Sequence, residues 1–97
     1  MKIKVYGDPG HAWAVVPRRL LIKLGIEDQV SPYSYQRMEM AYLEEDCDLS
    51  LFMSAMQKHG ISVSFDEHHG NKRSRIRGYN SYRPLSTQRN TNDQVRC

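Results

Sequence analysis

Around residue 49 the chain changes its hydrophobic period, and that change limits the folds open to it. Leu49, Phe52, Met53 and Met56 fall at i, i+3, i+4 and i+7, which is one face of a helix. Near the start, Ile3 and Val5 alternate with Lys2, Lys4 and Tyr6; after the helix, Ile61, Val63 and Phe65 alternate with Ser62, Ser64 and Asp66. A period of two marks a strand with one buried face. With 97 residues there is material for a single core, so helix and strands must share it. The expectation is an α+β fold.

The remaining elements follow from local chemistry. Gly7-Asp8-Pro9-Gly10 reads as a turn, leading into a second strand over 11–16 with Trp13 and Val15 on one face and Ala12, Ala14 and Val16 on the other. Pro17 suits the first helical position, and Leu20, Leu21 and Leu24 form a stripe ended by Gly25. Arg18, Arg19 and Lys23 are expected to face solvent. Two strands are predicted over 29–37 and 39–44. Asp46 or Asp48 is placed to cap the second helix, and Gly60 to end it. The predicted order is β-β-α-β-β-α-β: a small, mostly antiparallel sheet with two helices on one face, followed by a basic extended C-terminal arm. Residues 1–83 form one domain, including the arm at 72–83. Residues 84–97 carry only Leu85 and Val95 as aliphatic residues and are expected to be a disordered polar tail.

At 39% hydrophobic and 26% charged the composition is that of a soluble globular protein. No apolar run is long enough to cross a bilayer or to serve as a signal peptide, so no membrane partner and a cytoplasmic setting are expected. Cys47 and Cys97 are too few for a disulfide scaffold, have no C-x-x-C spacing, and are not expected to pair. Charge is unevenly spread. Residues 1–60 hold seven Lys/Arg and eight Asp/Glu, net −1; residues 61–97 hold seven Lys/Arg and three Asp/Glu, net +4. A basic C-terminal third is the footprint of an anionic partner, or of a solubilising tail.

The functional candidates centre on that arm. In an extended chain Arg73, Arg75 and Arg77 would share one face, with Ile76 on the other. Guanidinium groups grip phosphate, and Tyr79 and Tyr82 offer flat surfaces for bases; Arg83 adds a further cation. The competing reading is an arm that packs on the sheet or on a neighbouring subunit. Tyr33 and Tyr35 could form a stacking platform, or simply cover a half-buried sheet face. The Gly7–His11 stretch could bring backbone N–H groups and His11 to a ligand, but it lacks the lysine and following helix of a phosphate loop. The run from Glu44 to Asp48 is explained by helix capping as readily as by cation binding or acid–base chemistry. His68 and His69 would point to opposite faces of a strand. No catalytic residue, cofactor or metal is expected.

Three stretches together, from Lys2 to His11, from Tyr42 to Leu49 and from Arg75 to Tyr79, resemble a family of short proteins encoded by bacteriophages, prophages and related mobile elements. The resemblance spans residues 1–83. It implies a bacterial cytosolic setting and a role of the kind small accessory phage proteins play: binding a host defence component or sequestering its nucleotide signal. The expectation is therefore a non-enzymatic binding protein for an anionic ligand, whether nucleotide, nucleic acid or acidic host protein. Its ligand-binding residues would be Arg73, Arg75, Arg77, Tyr79, Tyr82, Arg83, Tyr33, Tyr35 and His11. Two alternatives stand beside it. One is a small hydrolase using His11 with Asp8 or the carboxylates of 44–48; the other is a structural subunit that forms a homo-oligomer.

Overall fold

A computed structural model describes residues 1–85; most of the expected tail, and Cys97 with it, lies outside the described residues. Strands β1 (Lys2–Gly7) and β2 (Ala12–Pro17) form the expected hairpin, with Tyr6 opposite Trp13 and Gly7 opposite Ala12. Helix α1 (Arg18–Lys23) follows, then β3 (Tyr35–Arg37), β4 (Met40–Glu44), α2 (Leu49–Lys58) and β5 (Ser64–His69). A 3-10 helix at Arg75–Gly78 and a two-residue strand, β6 (Asn80–Ser81), complete the described chain. One six-stranded sheet runs in the order β5-β1-β2-β4-β3-β6, parallel only between β1 and β5. The fold is α+β with a mostly antiparallel sheet. Among the described residues no helix is long and apolar enough to cross a membrane.

Alternation along the strands sorts the two sheet faces. Ile3, Val5, Ala12, Ala14, Val16, Ala41 and Leu43 are buried in one cluster with Leu21 and Leu24 of α1 and Phe52, Ala55 and Met56 of α2. Both helices therefore cover the same face. The opposite face carries Tyr6, Trp13, Tyr35 and Tyr42: register sets Tyr6 opposite Trp13 and Tyr42 opposite Tyr35, while Trp13 itself stands opposite Glu44. Trp13 is only 1% exposed even so, because the basic arm folds back across this face and sets Arg77 over its indole; Ile76 of the arm is buried as well.

Several local expectations need correcting. Cys47, not expected to pair, is disulfide-bonded. The predicted strand over 29–37 pairs only at Tyr35–Arg37. Before it the chain turns, because the Asp48 carboxylate accepts hydrogen bonds from the Ser31 N–H at 3.0 Å, the Ser31 hydroxyl at 2.7 Å and the Ser34 hydroxyl. Asp48 does occupy the N-cap position of α2, but with its side chain spent on that turn it makes no capping bond. Arg18 does not face solvent. It is buried, pairing with Glu27 at 3.3 Å and donating to Gln36 at 2.9 Å. The strand after α2 begins at Ser64 rather than Ile61 and runs on through His68 and His69. Finally, the arm closes a 3-10 turn at 75–78, so Arg73, Arg75 and Arg77 do not line up on one face.

Candidate ligand-binding grooves on the open sheet face

The turn after β1 anchors the arm. Asp8 Oδ1 accepts from the Gly10 and His11 N–H groups at 3.0 and 3.1 Å, which shapes the turn. Oδ2 accepts from the Ser74 N–H at 2.9 Å and from Arg77 Nε at 2.6 Å, while Arg77 Nη2 reaches Oδ1 at 2.9 Å. The Arg77 guanidinium, and after it the Ser74 N–H, hold the Asp8 carboxyl well below the usual carboxylate range. Glycine is needed at position 10 for close approach: a side-chain carbon there would lie 2.7 Å from Arg77 Nη2. Ser74 then caps the 3-10 turn, its hydroxyl accepting from the Ile76 N–H at 3.1 Å.

On one side of this anchor lies a groove of about 620 Å³, within the size range of small-ligand sites. Its aromatic walls are Tyr6, stacked on His68 at 5.3 Å, and Tyr42, edge-on to Tyr79 at 5.0 Å. Lys72 and Arg75 line it with His68 and His69, and none of its described lining residues is an Asp or Glu. Burial, and then the neighbouring Tyr79, push the Tyr42 hydroxyl above the ordinary tyrosine value, so it stays protonated and able to donate at neutral pH. His68 and His69 are themselves paired with Asp66 and Glu67, but flat rings beside Lys72 and Arg75 suit a ligand that combines an anionic group with an aromatic ring.

On the other side of the anchor is a smaller cleft of about 310 Å³, lined by His11, Trp13, Tyr33, Tyr35, Glu44, Asp46, Cys47 and Arg77. His11 Nδ1 lies 2.7 Å from Glu44 Oε2. Glu44 is buried, and its Oε1 accepts from the Asp46 and Cys47 N–H groups at 2.8 and 3.0 Å.

The expected ligand-binding residues are thus divided. Arg75 and Tyr79 line the larger groove; His11, Tyr33, Tyr35 and Arg77 line the smaller cleft. Arg73 and Arg83 are exposed and line neither. Tyr82 is 1% exposed and belongs to the core, its hydroxyl donating to the Glu27 carbonyl at 2.6 Å, with the Arg18 guanidinium over its ring. Alternation along the strand explains the split: three positions on from Tyr79, the chain faces the other side of the sheet. Tyr6, Tyr42, His68 and Lys72 were missed as site residues. The period-two pattern that puts Tyr6 and Tyr42 opposite the core positions was a usable signal for those two.

Comparisons with known proteins add no relative: no family model, no curated protein and no solved structure matches the chain.

Proposed function

We propose that this is a non-enzymatic binding protein that holds a nucleotide, or the nucleotides of a single-stranded nucleic acid, in the groove between Tyr6, Tyr42 and Tyr79. Lys72 and Arg75 take the phosphate; the tyrosine rings take the base. The observation that carries the reading is the lining itself, which joins aromatic rings to cations and has no Asp or Glu among its described residues. The proposal extends to a phage or mobile-element origin, a bacterial cytoplasmic setting, and a role in withholding a nucleotide signal or nucleic acid from a host defence system. It rests for that extension on the sequence resemblance alone.

The test is a binding panel at low salt: mononucleotides, cyclic dinucleotides, single-stranded and duplex DNA, RNA and inorganic phosphate. Binding of base-bearing phosphates well above inorganic phosphate, weakening as salt rises, supports the reading. If no base-bearing ligand is preferred to phosphate, the reading fails. The hydrolase alternative has one observation in its favour, the contact between His11 and Glu44. Asp8, its other candidate partner, is engaged with Arg77 and Ser74.

A further inference from the structure

We propose that His11, Glu44 and Asp46 form a binding site for one divalent transition-metal ion, with zinc the ion their donor set fits best. The site lies in the smaller cleft and is independent of the nucleotide groove. One donor atom from each residue lies within 4.8 Å of the others. Glu44 is the rigid member: two backbone N–H groups fix Oε1, which leaves Oε2 facing His11. Ligands held 2.0–2.2 Å from one tetrahedral ion stand roughly 3.3–3.6 Å apart, so the hydrogen-bonded His11 Nδ1 and Glu44 Oε2, 2.7 Å apart, need to separate by less than about 1 Å to admit it. Asp46 follows Glu44 by two residues and is exposed at the mouth, free to swing onto the ion.

One imidazole with two carboxylates is a donor set for zinc or manganese rather than for magnesium or calcium, which prefer oxygen alone. Three protein ligands leave a position for water. Trp13 supplies a second, separate indication. It lines the same cleft, and its indole N–H is buried with no hydrogen-bond partner among the described residues. A buried donor in the wall of a cleft is costly unless an acceptor comes to it, and a water or ligand oxygen on the ion is such an acceptor. Arg77, the one Lys/Arg among the described residues that lines the cleft, is paired with Asp8, which weakens its repulsion of a cation. Among the described residues, the histidine–carboxylate contacts of His68 with Asp66 and of His69 with Glu67 bring no third donor with them.

The experiment is titration of the full chain with Zn²⁺ against a competing chromophoric chelator, repeated with Co²⁺ as a spectroscopic probe. One equivalent should bind. His11→Gln and Asp46→Asn, both at exposed positions, should each weaken binding at least tenfold with unchanged circular dichroism. The His68→Gln/His69→Gln double variant should bind as the parent does. The Co²⁺ spectrum should show nitrogen and oxygen ligation without a thiolate charge-transfer band. The proposal is overturned if no equivalent binds, if His11→Gln and Asp46→Asn leave affinity unchanged, if affinity follows His68 and His69 instead, or if the thiolate band appears. Because no nucleotide enters this titration, its outcome is separate from that of the groove.

Discussion

Arg77 and Asp8, 69 residues apart in sequence, meet at two points: Nε on Oδ2 at 2.6 Å and Nη2 on Oδ1 at 2.9 Å. The Asp8 side chain is 1% exposed, so this is a sheltered pair and not a solvated surface bridge. It ties the basic arm to the first turn of the chain, and the arm in turn forms one wall of each groove.

Acid should loosen that tie. The folded-state pKa of Asp8 is depressed, chiefly by Arg77, so its contribution to stability is present above the unfolded value of about 3.9 and is lost as pH falls below it. The urea midpoint of the parent protein should therefore drop as pH is lowered from about 5 toward 2. Asp8→Asn should be less stable at neutral pH, should lose part of that acid dependence, and should exchange its Ser74 and Arg77 amides faster. Identical acid profiles for parent and variant would contradict the account.

Phe52→Ala should cost about 3–5 kcal/mol, since Phe52 is fully buried at the centre of the cluster that joins α2 to the sheet. Equilibrium urea unfolding measures it. For a domain of this size the loss removes most of the stability.

Tyr79 and Tyr82 should separate cleanly. Tyr82→Phe removes the hydroxyl bond to the Glu27 carbonyl and should cost about 1 kcal/mol of stability while leaving ligand binding intact. Tyr79→Leu should keep the fold and lose affinity, because Tyr79 lines the groove. The reverse pattern would move the site off this face.

Met38 offers a gain. It sits at φ 55° in the tight turn between β3 and β4, and it is 85% exposed, so its side chain contributes little packing. Met38→Gly should relieve the left-handed strain and raise stability by about 0.5–1 kcal/mol, a rise of a few degrees in Tm.

What could be read from the sequence was what local pattern encodes. The α2 stripe, the β1–β2 hairpin and the stop at Gly25, which takes φ 77°, all follow from spacing and residue type. The misreadings come from contacts made at a distance. Residues 29–34 have strand composition, but Asp48 bends them through Ser31 and Ser34. The alternation at 61–65 does not mark a buried strand face: Ile61 and Phe65 are exposed, and pairing with β1 begins only at Ser64, opposite Lys2. Nothing between 72 and 83 shows that Asp8 will draw Ser74 and Arg77 inward, and without that contact the arginines look equivalent. That the arm joins cations to tyrosines was legible. Which of them share a groove was not, because that depends on strand register and on the 3-10 turn.

The most direct test of the groove compares two variants of equal charge. Lys72→Gln/Arg75→Gln removes two cations that line it; Arg73→Gln/Arg83→Gln removes two exposed cations that do not. Affinity for the tightest-binding base-bearing ligand is measured for both by fluorescence titration at fixed low salt. The expected result is a loss of at least about tenfold for the first and no more than a few-fold for the second. Equal losses would show general attraction to a basic surface and contradict a site between Tyr6, Tyr42 and Tyr79.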